Sequence, residues 1–284
     1  KHWVNAVAVT TNGKMALTGS SDLTCILWDL TSGKSLQTLK GHTGGIYSVA
    51  ITPDGERAIS GSADKNCILW DLATGKALLT LIGHTEDVNS VAITPDGRKA
   101  ISGSSDNTCI IWDLTTGESI HILKGHTFWI TSVAITSNGE KALTGSSDKT
   151  CILWDLERGE ELKKLEKHTN DISSVAITPN GEVGLTGSFD GTCILWDLTT
   201  GKTLKTLNGR TRVFHSVSMT PDGKIAISGS RDKDSFENHC TIWNLTTGQD
   251  IQTLQGHYDS IKAVSITPDG RKALSVSWDN SCIV

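Results

Sequence analysis

Each repeating segment of this chain carries a cysteine, and most add a histidine, a Ser or Thr and an aspartate. These are the side chains from which thiol chemistry, metal centres and hydrolase triads are assembled. The cysteines stand at Cys25, Cys67, Cys109, Cys151, Cys193, Cys240 and Cys282, spaced by 42 residues except for 47 between Cys193 and Cys240. The first six precede a Trp by three residues. Because each cysteine has the same place in its own unit, equivalent thiols fall in different units, too far apart to bridge, and read as reduced core residues. The Ser, His and Asp sets read as structural for a related reason: a catalytic group is needed once, and this set recurs in register. His2, His121, His215 and His239 depart from the repeat but stand at no metal-ligand spacing. No Gly-rich phosphate loop opens a helix. Neither a metal nor a cofactor is expected, and no enzyme activity.

The elements that must position these side chains follow from the same period. One unit runs through Gly41-His42, an alternating stretch from Ile46 to Thr52, the turn Pro53-Asp54-Gly55, a second stretch from Ala58 to Ser62 and the turn Ala63-Asp64-Lys65-Asn66. A third stretch spans Cys67 to Asp71, and a fourth Ala77 to Ile82 after Thr74-Gly75. Short apolar or β-branched runs between Gly, Pro, Asn and Asp are strands between tight turns, and no window carries a helical apolar period. Four strands in a fixed period of roughly 40 to 45 residues make a propeller blade. The fold class expected is all-β: a seven-bladed β-propeller of four-stranded antiparallel blades. The seventh unit ends within its third strand, so the last blade lacks its outer strand and shows an exposed edge. Residues 1–284 read as a single domain, expected to be a fragment of a larger multidomain protein because the chain opens on Lys1.

Gly-His-Thr, Pro-Asp-Gly, Ser-Gly-Ser-x-Asp and Leu-Trp-Asp-Leu, in this order and at this spacing, closely resemble the WD-repeat β-propellers along the whole chain. The resemblance implies a polar chain in each blade, from the third-strand Trp to a second-strand hydroxyl, then to the Gly-His histidine and the turn aspartate. By position the sets are Trp70, Ser60, His42 and Asp64; Trp112, Ser102, His84 and Asp106; Trp154, Thr144, His126 and Asp148; and Trp196, Thr186, His168 and Asp190. Together they satisfy one another's donors and acceptors. Arg210 replaces the histidine of unit six, Asn244 follows Trp243 in place of Asp, and Lys167 replaces a Gly. Unit one has no such histidine within the chain, and unit seven no Trp. Weaker ties are therefore expected at blades six and seven.

Function is expected where the units differ, since loops on a rigid frame carry binding. Nine aromatic residues fall outside the Trp series: Trp3, Tyr47, Phe128, Trp129, Phe189, Phe214, Phe236, Tyr258 and Trp278. All lie in the Gly-His connection, at the start of the first strand or in the turn before the third, on one face of the disc. Phe214 stands at a core position and Tyr258 reads as local packing. The resemblance implies that these variable positions form the partner-contact surface. The candidate partner-binding residues are Trp3, Asn5, Tyr47, Phe128, Trp129, Phe189, His215, Arg231, Phe236, Lys262 and Trp278. Aromatics and Arg dominate interface energetics. Unit six adds a turn five residues longer, from Lys233 to His239, together with Arg210, Arg212 and Arg231.

The leading reading is a non-catalytic scaffold or sensor module binding a protein or peptide on that face. The alternative is binding of nucleic acid or another acidic ligand by the basic and aromatic sector of unit six. The net charge of -5 counts against a general polyanion binder, so nucleic acid is not the expected partner. The near-identity of the units resembles bacterial, especially cyanobacterial, WD-repeat arrays, which implies upstream nucleotide-binding signalling domains as further partners. Unpaired cysteines suit a cytoplasmic protein, and no membrane segment is expected.

Overall fold

The computed structural model describes residues 3–209, 213–231, 238–267 and 269–284, Arg231 by its backbone alone. Phe236, Arg210, Arg212 and the span 232–237 lie outside the described residues. All described elements are strands, arranged as six four-stranded antiparallel sheets and one three-stranded sheet, each pairing its strands in chain order. Blade one comprises Val4–Val9, Met15–Ser20, Thr24–Asp29 and Lys34–Lys40; blade two comprises Ile46–Ile51, Arg57–Ser62, Asn66–Asp71 and Ala77–Ile82. Blades three to six repeat this order, and blade seven has Ile261–Ile266, Ala273–Ser277 and the two-residue Cys282–Ile283. No helix of the described residues is long and apolar enough to cross a membrane.

The core lies between blades, because each sheet buries its apolar side chains against the next. Leu17, Cys25, Leu27 and Leu39 of blade one pack on Ile46, Ala58, Ile68 and Trp70 of blade two, and five further clusters repeat this up to Ile227, Cys240, Ile261 and Val264 between blades six and seven. Among the described residues no such cluster joins blade seven to blade one. The circle closes there through Val4–Val9 packing on Ile261–Ile266 and Ala273–Ser277. A cavity of about 340 Å³ opens at that join, lined by Thr18, Trp28, Leu274, Cys282 and Val284 among others.

Six cysteines are buried and free, and burial pushes the Cys25, Cys67 and Cys240 thiols up to about 12. The seventh does not follow: Cys282 is exposed. It lies at the open edge of blade seven, where no fourth strand covers it. The expected long turn of blade six is also shorter than its sequence, since Asn238 and His239 are buried in the third strand, Asn238–Asn244, which pairs Asn238 with His257.

Inner strands are joined by side chains as well as packing. Backbone N–H groups of Val91, Val133, Val175, Val217 and Val264 each donate to the hydroxyl of a serine one blade earlier, Ser48, Ser90, Ser132, Ser174 and Ser216, at 3.0 to 3.1 Å. Blade one has Ala6 and blade seven Ala263 at this position, so the series skips the joins on both sides of blade one.

Candidate functional site

Two sets of polar residues occupy different depths of each blade. In the deeper set, Trp70 Nε1 donates to Ser60 Oγ at 2.8 Å, His42 Nε2 meets the same hydroxyl at 2.7 Å, and His42 Nδ1 meets Asp64 at 2.7 Å. Matching contacts link Trp112, Ser102, His84 and Asp106; Trp154, Thr144, His126 and Asp148; and Trp196, Thr186, His168 and Asp190. A neutral imidazole would suit this chain, with Nδ1–H donating to the carboxylate and Nε2 accepting the hydroxyl proton. Burial holds His84 and His168 below the ordinary value of 6.5, against the pull of their aspartates. Burial alone would raise the aspartates. Hydrogen bonds from the imidazole, a neighbouring hydroxyl and a main-chain N–H outweigh it and hold Asp106, Asp148 and Asp190 below the usual carboxylate range.

The Ser60, Ser102, Thr144 and Thr186 hydroxyls belong to fully buried residues and already hold an indole N–H. They are placed to tie strands, not to attack a substrate. Blade seven keeps more of this set than the sequence suggests, since His257 bridges Ser275 at 2.8 Å and Asp279 at 2.9 Å without any Trp. The expected weakening there amounts to the missing indole bond alone, since the histidine end of the set is complete. Blade six keeps the other end, Trp243 donating to Ser228 at 2.9 Å.

The shallower set forms the mouth of the central channel. The connection entering each blade packs on the turn before the third strand: Ser62 Oγ donates to Gly44 O, and Ala63 N–H to Gly45 O, both at 2.9 Å. These two segments therefore share one face, and a hollow of about 500 Å³ opens between them. Trp3, Asn5, Tyr47, Trp129, Phe189, His215, Lys262 and Trp278 all line it, so eight side chains chosen for breaking the repeat meet in one place. Trp3 and Trp278 pack with ring centroids 5.3 Å apart, Phe189 meets His215 edge-on at 5.3 Å, and Lys262 Nζ lies 4.3 Å above the Trp278 ring. Phe128 stands beside Trp129 at 5.3 Å but does not line the hollow. Phe214 is core, and Tyr258 does not pack locally but is 91% exposed. The Arg231 side chain and Phe236 lie outside the described residues.

One sequence-chosen residue has a further structural role. Asn5 Nδ2 donates to Ser21 Oγ at 2.9 Å and to Ile46 O of the next blade at 3.0 Å. Asn89, Thr131 and Ser173 at the equivalent position likewise reach Ile130, Ile172 and Phe214 carbonyls one blade on. Sequence reasoning left Asp171 out of the site, although it lines the hollow and stands in the same register as Trp3 and Trp129. That register was the available signal. Burial, with the charge of Asp87 beside it, pushes the Tyr47 phenol up. Trp278 Nε1 and Ser260 Oγ are buried without a partner among the described residues, and no group of three or more potential metal ligands gathers among them.

Seven ring-forming blades, each with its Trp-to-hydroxyl or His-to-Asp tie, define a repeat propeller whose variable side chains are gathered at one mouth. The chain belongs to the WD40 family (WD domain, G-beta repeat), whose model matches residues 1–29, 33–71, 75–113, 117–155, 159–197, 201–244 and 248–284. Among curated proteins it is similar to a dynein assembly factor with WD repeat domains 1 from Homo sapiens and from Macaca fascicularis, 48% identical over 42 residues. Those matches take in 15% of this chain and 10% of each relative. It is also similar to a probable E3 ubiquitin ligase complex SCF subunit, sconB, of Arthroderma otae, 43% identical over 44 residues, 16% of this chain and 6% of that protein. Each similarity therefore spans about one blade and a tenth or less of the relative's length.

Proposed function

We propose that this propeller is a non-catalytic interaction module that docks a protein or peptide partner at the channel mouth. The observation that carries this reading is the hollow itself: aromatic side chains of blades one, two, four, five and seven converge on it, where the repeat alone would place small or polar residues. Trp3 and Trp129 are each about half exposed, at 54% and 51%, although a folded domain normally buries an indole. The relatives support the same class of role, one being named an assembly factor and another a subunit of a complex. A cytoplasmic setting and a sensor role linked to nucleotide-binding domains belong to this reading as further proposals.

A photo-crosslinking residue at position 129 is expected to capture a defined partner in cells, and the same residue at Thr74, in a turn outside the mouth, is not. Loss of capture on Trp3→Ala is the second expected result. Equal capture from both positions would reject the reading. Nucleic-acid binding is the competing class, favoured in the sequence by the arginines of unit six and, among the described residues, by Lys262 stacked on Trp278. Oligonucleotide affinity that falls steeply with salt, and disappears in Lys262→Ala, would bring it forward.

A further inference from the structure

The mouth carries a preference of charge, and this inference rests on the docking role proposed above. Three of its neutral polar side chains are already engaged: Asn5, Thr131 and Ser173 each donate to a main-chain carbonyl of the next blade. The Tyr47 phenol stands beside Asp87. What remains toward the hollow is largely aromatic, from Trp3, Tyr47, Trp129, Phe189 and Trp278, with Asp171 as the one carboxylate of its lining among the described residues. Asp171 is half-buried, and its carboxylate makes no hydrogen bond or ion pair among the described residues, while its main chain holds Phe189 N–H at 2.9 Å. Trp129 occupies the equivalent position of the adjacent blade, and Asp87 that of the blade beyond it, so one sector reads Asp, Trp, Asp in a single register. An aromatic face beside a partly desolvated carboxylate attracts a cation through both the ring quadrupole and the charge.

The protein already provides one such contact. Lys262 rests its ammonium on Trp278 within the same hollow, on the blade-seven side. The opposite side has the aromatic face and the carboxylate but, among the described residues, no lysine or arginine in the lining.

We infer that the mouth seats a cationic side chain, an arginine or lysine of the partner, against Trp129 and Asp171. The partner segment is then a basic peptide, drawn to a chain of net charge -5. Its charged head meets the Asp171 carboxylate, and its stem lies along the indole.

The test uses peptides of the form acetyl-Gly-Gly-Ala-Xaa-Ala-Gly-Gly-amide, with Xaa as Arg, Lys, citrulline, Glu or Phe, titrated by calorimetry and tryptophan fluorescence. The Arg and Lys peptides are expected to bind about tenfold more tightly than citrulline, which keeps the shape of Arg and loses its charge. Asp171→Asn should remove that preference, and Trp129→Ala should weaken the Arg and Lys peptides most. The Arg-to-citrulline comparison needs no variant, so a misfolded mutant does not obscure it. Tighter binding of Glu, Phe or citrulline that still depends on Trp129 overturns the cation preference and leaves docking at the mouth standing. No binding by any peptide, or binding untouched by both Trp3→Ala and Trp129→Ala, overturns both.

Discussion

A tryptophan in this chain has one of two places: its indole N–H is tied to a second-strand hydroxyl, or its ring stands at the channel mouth. Trp112 is 2% exposed and donates to Ser102, whereas Trp129 is half exposed with no such acceptor in its own turn. Trp112→Ala is expected to cost about 3 to 5 kcal/mol in denaturant unfolding, and Trp129→Ala less than about 0.5 kcal/mol. Equal losses would place Trp129 in the core. Ser102→Ala leaves a buried indole N–H and an imidazole nitrogen unpaired, so a loss of about 1 to 3 kcal/mol is expected from the same measurement. The aspartates and histidines give these ties a pH dependence. Asp279 is held at about 2, below its ordinary 3.8, because the Ser281 hydroxyl, Tyr258 N–H and His257 together outweigh its burial. Its contribution is complete above 3.8 and disappears as the pH falls toward 2. His84 and His168 are depressed below 6.5, so protonation also favours the unfolded chain, and their penalty begins as the pH drops through 6.5. Thermal melts should therefore hold level near neutrality, decline below about pH 6.5 and fall again below about 4. A melting temperature that rises between pH 7 and 5 would contradict the neutral imidazole. Pairs such as Trp112 and Ser102 were legible because type and spacing recur. Asn5 was legible as variable but not as a tie, since its acceptor is a carbonyl 41 residues away that only the folded ring brings near.

At the scale of strands and turns, the sequence located every described strand to within a few residues, because a period of two interrupted by Gly, Pro and Asp leaves little freedom of register. The turn before the third strand shows how one conformation is filled by different residues. Leu23, Lys65, Asn107, Lys149, Gly191 and Asn280 all take φ between 67° and 82° there. Asn and Gly accept this left-handed region readily, and a leucine does so at a cost of about 1 kcal/mol. Leu23→Asn is expected to stabilise the fold by about 0.5 to 1 kcal/mol in urea unfolding, and a destabilisation would show that the 40%-exposed side chain makes a contact worth more than the strain. The buried placement of Asn238 and His239 was not legible. Five extra residues in one unit show that a turn has grown but not how many of them the strand absorbs. The carboxylate at the mouth was passed over although its register with Trp3 and Trp129 was readable, because an Asp in a turn is ordinary and only the fold sets it in one lining with Trp129 and Phe189.

For the whole molecule the seven joins are not equal. Blades two through seven are connected by serine-to-backbone bonds and apolar clusters, whereas blades seven and one meet with neither among the described residues, held by inner-strand packing and the Trp3–Trp278 contact. Trp28 is only half-buried there, unlike its five counterparts. Amide hydrogen exchange is expected to be fastest in Val4–Val9 and Ala273–Ser277 and slowest in blades three to five, since local opening follows the least-packed boundary. Uniform exchange around the circle would show that the joins are equivalent after all. The indoles of Trp3 and Trp278 straddle this weak join and also line the hollow proposed for docking. On the proposed docking role, the molecule is a snap ring whose gap runs beneath its own receptor. A guest that grips both lips would clasp the ring shut, and its occupancy would be readable as slower exchange on the far side of the gap.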